Sequence, residues 1–215
     1  MQKTTNIDGF TVRPDTLDEY VLKEVKTCYK HLTVKATDTI MNIGANVGAF
    51  EWYYADKVKK IVSYEPDPAN FRLLKINTRS FDNVKIVRRA VISGEDETVS
   101  FFLNTKKNKG AHSLCIKRGR EEITVKATNF SKILSIHKPS VVKIDIEGGE
   151  YELLKTKIPD CVERMAIEFH FGHKAWKDEY KVLLKKLCKK DGFKQTVPAK
   201  KEAGSAWYTM VYLNR

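Results

Sequence analysis

A glycine-containing turn between two patterned segments constrains the fold of this chain more than any other feature. The apolar run TIMNI (39–43) predicts a short buried strand, and residues 48–56 predict a helix. The segment GANVG (44–48) joins them, and its first glycine permits a sharp turn in which a Cβ atom would collide with its surroundings. A strand, a glycine turn and a helix form the layout of a nucleotide-type cofactor loop, although such turns also occur for structural reasons alone.

A carboxylate at the end of the next predicted strand supports the cofactor interpretation. Glu65 lies about 20 residues after the glycine turn, a spacing at which an acid can accept hydrogen bonds from ribose hydroxyls. The alternative is a helix-start acid, because Pro66 and Asp67 follow and acids are favoured near a helix N-terminus. Dinucleotide sites prefer the longer pattern G-x-G-x-x-G, so G-A-N-V-G indicates S-adenosylmethionine (SAM) instead.

Apolar runs alternate with helical patterns along the chain, which favours a parallel sheet flanked by helices. Further strands are predicted at 60–64, 84–88, 97–103, 122–127, 141–146, 163–169, 193–197 and 206–213. Further helices are predicted at 16–31, 68–78, 129–135, 150–155 and 174–190. The strands that flank the loop 104–120 favour a hairpin or an extra edge pair. The last two strands should pair antiparallel, because only a short loop separates them.

The first of these helices has a predicted start and a predicted buried face. Thr16 is a plausible N-cap residue, with Glu19 three positions later as in a capping box. The apolar residues at helical spacing are Leu17, Tyr20, Val21, Val25 and Tyr29. We therefore expect this helix to cover one face of the domain.

The segment KIDIEGGEYELL (143–154) places charged residues on an apolar strand. In an extended strand Lys143, Asp145 and Glu147 project to the same side. Charged groups there are costly unless they are paired, solvated or bound to a ligand, and open α/β sheets bind ligands at the carboxyl ends of their strands. The alternative is a Lys–Asp ion pair followed by an acid at the start of a helix.

A third set of polar residues lies in IEFHFGH (167–173), near the end of the next predicted strand. If the two strands pair in parallel, Glu168 and His170 converge with Asp145 and Glu147. Such a group can deprotonate a hydroxyl, with a histidine of near-neutral pKa as the base. It can also hold a divalent metal ion through carboxylates and an imidazole. His173 lies in a predicted loop, and we interpret it as a surface residue.

The net charge of +12 is concentrated in two segments. Residues 104–120 carry six Lys or Arg and no acid, and residues 174–201 carry ten Lys and three acids. This distribution indicates an anionic partner such as an acidic glycan or a nucleic acid, with an ordinary solvated surface as the alternative. The four cysteines form no C-x-x-C pair, and no apolar run approaches the roughly 18 residues of a membrane span. We therefore expect a cytoplasmic protein.

These segments together resemble the FkbM family of SAM-dependent methyltransferases. The matching pieces are NIGANVGAF (42–50), YEPDPANFRLLKIN (64–77), HSL (112–114), VVKIDIEGGEYELL (141–154) and IEFH (167–170), with FTVRPDTLDEYVLKEV (10–25) as a similar lead-in. The resemblance implies an α/β, Rossmann-like class I methyltransferase fold, with a mostly parallel seven-stranded sheet, an antiparallel last strand and helices on both faces. We expect one methyltransferase domain over 1–215, with a helical lead-in at 1–35 and a basic lid-like loop at 104–120.

The same resemblance implies which residues contact the cofactor. The glycine turn would wrap the methionine part of SAM, Glu65 would bind its ribose, and Ala90 would lie near its adenine. The expected set is Asn42, Gly44, Ala45, Asn46, Gly48, Glu65, Pro66, Ala90 and Asp145. Asn42 stands where the family often has Asp, and it lacks the charge to hold the SAM ammonium group. Asp145 is the residue that could take over this contact.

The reaction that the resemblance implies is methyl transfer from SAM to a hydroxyl, most often of a sugar or glycan. The expected catalytic residues are His170, Glu147, Asp145 and Glu168, with His170 favoured as the base. The same four side chains form the weak metal site of a metal-assisted alternative. Ser113 and Lys143 are expected to contact the acceptor. The other functions considered are RNA methylation through the basic surface and a non-catalytic SAM-binding module.

Overall fold

Twelve strands, six α-helices and one 3-10 helix make up the part of the chain that the computed structural model describes, which is residues 3–104, 110–172, 176–197 and 208–215. The strands are β1 (Thr5–Ile7), β2 (Phe10–Val12), β3 (Thr39–Ile43), β4 (Lys60–Tyr64), β5 (Val84–Val87), β6 (Ala90–Ile92), β7 (Thr98–Leu103), β8 (Glu121–Asn129), β9 (Val141–Ile144), β10 (Arg164–His170), β11 (Lys194–Gln195) and β12 (Tyr208–Asn214). The helices are α1 (Asp18–Cys28), α2 (Ala49–Tyr54), α3 (Pro68–Asn77), α4 (Phe130–His137), α5 (Glu150–Leu153) and α6 (Trp176–Lys189), and the 3-10 helix is Ala55–Lys57. None of the helices in these ranges has both the length and the apolar character that crossing a membrane requires.

Seven of the strands form the central sheet, in the order β11-β12-β10-β9-β3-β4-β5. All of its described strands run in the same direction except β12, which lies antiparallel between β10 and β11. This arrangement confirms the predicted fold class, including the mostly parallel sheet and the antiparallel last strand. The parallel pairing of β9 with β10 also meets the condition on which the predicted convergence of polar side chains depended.

Apolar side chains cover both faces of this sheet. On one face, Tyr151 of α5 and Leu187 of α6 belong to a cluster that includes residues of β9 and β10. On the other face, Phe50 of α2 and Leu73 of α3 belong to a second cluster that α1 also joins. Strands that are buried on both faces read as continuous apolar runs, which is why β3 and β9 were recognisable without alternating polar residues.

A smaller sheet of the order β6-β8-β7 lies beside the central one. β7 and β8 pair antiparallel, which confirms the predicted hairpin. β6 was not predicted, because its three residues follow β5 closely and give no separate periodic pattern. The structure describes part of the connection between the two strands. In that part, Ser113 pairs with Phe102 of β7, and this pairing holds the segment 110–120 against the sheet. The predictions for Lys106, Lys107, Lys109 and His173 lie outside the described residues.

The N-terminal segment differs from the predicted helical lead-in. A short antiparallel hairpin of β1 and β2 precedes α1. Thr16 is not the N-cap: Leu17 occupies that position, and the Thr16 hydroxyl accepts a hydrogen bond from the N–H of Asp18 at 3.2 Å. Leu17 and Tyr20 are also not buried, being 40% and 57% exposed. Both line a cavity rather than the core, so apolar spacing alone gave the wrong environment for them.

The glycine turn after β3 is shaped by close packing against the residues that follow β9. Gly44 has φ +87°, and a Cβ atom built there would lie 1.9 Å from the carbonyl oxygen of Asp145. The N–H groups of Gly44 and Ala45 both donate to the carbonyl of Tyr64, at 3.0 and 3.1 Å. The turn is therefore tied to both neighbouring strands, β4 and β9, and only glycine fits at its first position.

We expect Gly44→Ala to destabilise the protein much more than Gly192→Ala. Gly192 also has a positive φ, of +76°, but no atom lies within 4 Å of its Cβ position. Gly192→Ala should cost about 1–2 kcal/mol from the left-handed backbone alone. Gly44→Ala adds a backbone clash that only movement of β9 or of the turn can relieve. Urea denaturation of both variants measures the difference, and equal losses would show that the Gly44 contact does not constrain the fold.

Candidate active site

A cavity of about 590 Å³ lies at the carboxyl ends of β3, β4, β9 and β10. The order of the strands reverses at β3, and open α/β sheets bind their ligands at such points. Helix α1 and the segment 110–120 form further walls. Most of the residues predicted from the sequence line this cavity: Gly44, Ala45, Asn46, Glu65, Pro66, Ala90, Lys143, Asp145, Glu147, Glu168 and His170.

Glu65 connects the glycine turn to the start of α3. Its carboxylate accepts hydrogen bonds from the N–H of Asn46 at 2.8 Å and from the N–H of Asp67 at 2.9 Å. Burial, together with the negative charge of Asp67, raises the pKa of Glu65 to about 8. The N-cap of α3 is Asp67, whose side chain accepts from Ala69 and Asn70. Glu65 is thus not needed as the capping acid, and it faces the cavity.

Asn46 offers the cavity a hydrogen-bond acceptor with no described partner. Its backbone is left-handed, with φ +51°, a conformation that Asn tolerates better than most residues. Its Oδ1 atom is buried and has no hydrogen-bond partner among the described residues. Buried polar atoms are almost always paired, so an acceptor beside a cavity indicates a ligand that carries a donor.

Three predicted site residues lie behind the cavity wall and do not line it. Asn42 is fully buried, and its Nδ2 donates to Oε1 of Glu51 at 2.6 Å. Gly48 is the N-cap of α2, and a Cβ atom there would meet Leu74 at 3.0 Å. Ser113 is fully buried and donates to the carbonyl oxygen of Glu147 at 2.7 Å. In these positions the three residues can support the loops that face the cavity.

The predicted carboxylate and histidine cluster forms at the ends of β9 and β10. Nε2 of His170 lies 3.4 Å from a carboxylate oxygen of Glu168 and 3.6 Å from one of Glu147. Asp145 accepts a hydrogen bond from the Tyr29 hydroxyl at 3.3 Å and lies 3.4 Å from Nζ of Lys143. Parallel pairing of the two strands brings these side chains together, because it places both carboxyl ends at one edge of the sheet.

Glu150, predicted from the sequence only as the start of a helix, contacts the carboxylate and histidine cluster. It is fully buried, and one oxygen accepts from the N–H of His170 at 2.8 Å and lies 3.2 Å from its Nδ1. The other oxygen accepts from the N–H of Gly148 at 2.8 Å. A carboxylate on Nδ1 orients the imidazole and directs Nε2 towards the cavity. The sequence feature that marks Glu150 is its position directly after two glycines.

The pKa values within this cluster correct the expectation of a near-neutral histidine. Burial lowers the pKa of His170, but hydrogen bonds to Glu150 and Glu168 and the charges of Glu150 and Glu147 raise it well above its ordinary value. Burial, together with the charge of Asp145, raises the pKa of Glu168 to about 7. The neighbouring carboxylates therefore favour the charged form of the imidazole, and burial favours the neutral form of the Glu168 carboxyl.

Only part of the predicted metal site comes together. Ligand atoms of Asp145, Glu168 and His170 lie within 4.8 Å of one another. Glu147, the fourth predicted ligand, is not in this set. It lies in the turn after β9 with a left-handed backbone, φ +55°, so it does not share the geometry of a strand-end residue.

Two further cavity residues come from the segment 110–120. Arg120 lines the cavity, and its charge acts on Glu147. His112 lines it as well: its Nδ1 accepts from the N–H of Asn104 at 2.8 Å, and its Nε2 lies 3.5 Å from Asp67. The sequence includes His112 in the HSL match and Arg120 in the predicted lid-like loop, but neither residue was assigned to the site.

Comparison with known proteins identifies the family. Residues 42–194 match the model of the methyltransferase FkbM domain, which covers well over half of the chain. This chain belongs to the FkbM methyltransferase family. The matched region contains the glycine turn, Glu65 and the whole carboxylate and histidine cluster, whereas helix α1, which also lines the cavity, lies outside it.

Individual relatives are distant. The chain is 26% identical over 137 residues to the hexuronic acid methyltransferase AglP of Haloferax volcanii, an alignment that covers 63% of this chain and 57% of AglP. It superposes with a TM-score of 0.52 on the crystal structure of methyltransferase FkbM from Methylobacillus flagellatus, at 15% identity, over 88% of this chain and 47% of that one. It also superposes with a TM-score of 0.52 on Aeropyrum pernix fibrillarin with bound SAM, at 11% identity, over 99% and 82% of the two chains.

These relatives support the fold more strongly than the activity. The solved structures share the Rossmann-like fold of class I SAM-dependent methyltransferases with this chain. The chain spans little more than half of AglP and about half of the solved FkbM methyltransferase. We therefore infer the acceptor and the residues that act on it from the geometry of the site.

Glu51, the buried partner of Asn42, yields a prediction about stability. Burial raises its pKa above the ordinary value of 4.5, against the opposing effect of hydrogen bonds from Ser63 and Asn42. The stability linked to its proton is therefore complete below pH 4.5 and is lost as the pH rises towards the raised value. In Glu51→Gln this contribution to the pH dependence of stability disappears. The amide nitrogen also supplies a hydrogen-bond donor at a place where Glu51 Oε2 and Asn42 Oδ1 have no described partner.

We expect the free energy of unfolding of Glu51→Gln, relative to wild type, to increase between pH 5 and pH 8, by at most about 1.4 kcal/mol per pH unit. Chemical denaturation at both pH values measures it. Glu122→Gln, which removes an exposed carboxylate on β8, is the matched control. If both variants follow the pH dependence of wild type, Glu51 does not hold a proton in the folded protein.

Proposed function

We propose that this protein is a SAM-dependent O-methyltransferase that methylates a hydroxyl group of a sugar or glycan. One observation carries the proposal: the glycine turn with Glu65 and the carboxylate and histidine cluster line the same cavity. A cofactor held by the first group would therefore share one cavity with an acceptor held by the second. Family membership supports the methyl transfer, and the name of AglP supports a sugar as the acceptor.

The residues present suit SAM. The cofactor carries an ammonium group, two ribose hydroxyls and an adenine amine, which are all hydrogen-bond donors. The cavity offers them the unpartnered Oδ1 of Asn46 and the carboxyl oxygens of Glu65 and Asp145, which accept hydrogen bonds. Ala90 and Val91 provide an apolar wall beside this region. When bound, SAM supplies an electrophilic methyl group.

The chain's own residues supply orientation and a base. An acceptor hydroxyl must be held in line and must lose its proton as the new bond forms. Glu168 suits the role of base, because its pKa of about 7 matches neutral operating conditions. His170, held by Glu150, donates to this carboxylate and fixes its position. Asp145, Glu147 and Lys143 complete the polar surface against which the acceptor would lie.

A divalent cation is an alternative means of acidifying the acceptor. Asp145, Glu168 and His170 are the residues that would hold it, and their oxygen and nitrogen donors suit several divalent ions. Assays in EDTA, and again with added magnesium or manganese, separate this route from the metal-free one.

Glu65→Ala should abolish SAM binding without unfolding the protein. The variant loses the carboxylate that holds the N–H of Asn46 and that faces the cavity. Calorimetric titration with SAM measures the affinity, and Glu121→Ala, at an exposed acid far along the chain, serves as the control. Unchanged affinity of Glu65→Ala would place the cofactor elsewhere, and absence of binding to wild type would favour a module that has lost the cofactor.

Glu168→Gln should reduce kcat by roughly 10²- to 10⁴-fold and leave SAM affinity intact, since it removes the base and not the cofactor site. In wild type assayed with EDTA, we expect the rate to rise with pH through about 7 as Glu168 loses its proton. This rise should be absent in Glu168→Gln. Glu163→Gln, an exposed acid just before β10, should behave as wild type. A wild-type rate that does not vary between pH 6 and 8 would contradict the assignment.

A further inference from the structure

Arg120 occupies a position in the cavity that the proposed reaction leaves unexplained. It directly precedes β8 and is half-buried. Its Nη1 donates to the carbonyl oxygen of Ala111 and lies 3.5 Å from that of Phe102. The guanidinium is thus anchored through Nη1 on a side chain that lines the cavity, and its other two nitrogens, Nε and Nη2, have no hydrogen-bond partner among the described residues.

The other two Lys or Arg side chains that line the cavity also have hydrogen-bond partners. Nζ of Lys143 donates to the carbonyl of Gly44 at 2.7 Å and lies 3.4 Å from Asp145. Arg89 donates to the carbonyl of Ala127 at 2.9 Å, beside Ala90 at the expected adenine end. Among the described residues, Lys143 is thus the only one of the three Lys or Arg side chains of the cavity that lies against a carboxylate, whereas Arg89 and Arg120 contact backbone carbonyls.

Arg120 lines the cavity together with the residues of the carboxylate and histidine cluster. Glu147 belongs to the carboxylate cluster, and the charges of Arg120 and Glu147 act on each other although the two groups form no ion pair. Burial lowers the pKa of Arg120 and the charge of Glu147 opposes this, so the guanidinium keeps its charge in partly desolvated surroundings. A charged group held there without an anion is costly, and an anionic ligand would offset that cost.

We propose that Arg120 binds an anionic oxygen group of the acceptor, so that the preferred substrate is an acidic sugar and not a neutral one. The planar guanidinium matches carboxylate and phosphate oxygens in pairs, and a half-buried site makes such a contact stronger than an exposed one. This inference rests on the proposed function, because it assumes that the acceptor is a sugar bound beside Glu168. It adds which chemical group selects the sugar and which residue recognises it.

The test compares a sugar that carries a carboxylate with the matched neutral sugar, and adds a sugar phosphate. Wild type, saturated with S-adenosylhomocysteine, is titrated calorimetrically with methyl glucuronoside, methyl glucoside and glucose 6-phosphate. Charge-assisted hydrogen bonds give roughly 10- to 100-fold in affinity, and we expect the glucuronoside to bind more tightly than the glucoside by that factor. The phosphate sugar shows whether the site selects a carboxylate or any anionic oxygen group.

Two variants assign the effect to Arg120. Arg120→Gln keeps hydrogen-bond donors and loses the charge, so it should bind both glycosides equally and still bind SAM. Arg118→Gln removes an exposed charge two positions away and should retain the preference of wild type. Arg120→Lys keeps the charge without the planar fork, and we expect it to regain part of the preference.

The outcomes separate this inference from the proposed function. Equal binding of the two glycosides by wild type, or an unchanged preference in Arg120→Gln, overturns the role of Arg120 and leaves sugar methylation intact. Binding of neither glycoside, together with tight binding of a short RNA oligomer that Arg120→Gln weakens, overturns the acidic sugar and the proposed acceptor class together. If wild type does not bind SAM at all, the proposed function itself is refuted, because methyl transfer requires the bound cofactor.

Discussion

The contact between the glycine turn and the backbone after β9 is the constraint on which the site depends. A side chain at Gly44 has no room because the carbonyl of Asp145 lies against it. Lys143, two residues earlier, donates to the carbonyl of Gly44 and ties the same two segments together. Since one segment carries the expected cofactor contacts and the other the carboxylates, this packing sets the distance between the donor and acceptor sides of the cavity.

Buried carboxylates organise the loops around that contact. Glu65 accepts two backbone N–H groups and connects the turn to α3, and Glu150 accepts two more and connects the turn after β9 to His170. Burying a carboxylate is unfavourable unless hydrogen bonds compensate, and here the N–H groups of Asn46, Asp67 and Gly148, together with that of the last residue of β10, supply them. The same burial raises pKa values in the site, so the interactions that shape the loops also adjust their acid–base chemistry.

Much of the central architecture could be predicted because its signals are local. Apolar runs buried on both faces marked β3, β4, β9 and β10, and Asp67 before Pro68 marked the start of α3. The elements that escaped prediction are short or depend on distant partners. β6 exists because β8 lies beside it, and the β1–β2 hairpin has three residues in each strand. Tyr20 has the spacing of a core residue but lines the cavity, since what covers a helix face is decided by the rest of the fold.

The sequence by itself determined the class of fold, the place of the cofactor loop and which polar residues meet at the strand ends. These follow from periodicity, from glycine at a required turn and from the rule that parallel strands end at one edge. Only the tertiary structure decided that Asn42 faces Glu51 and not the cavity, that Glu150 holds His170, and that Arg120 lines the cavity. It also decided that the pKa values of Glu168 and His170 are both raised, because a pKa depends on burial and on distances to charges that strand pairing creates.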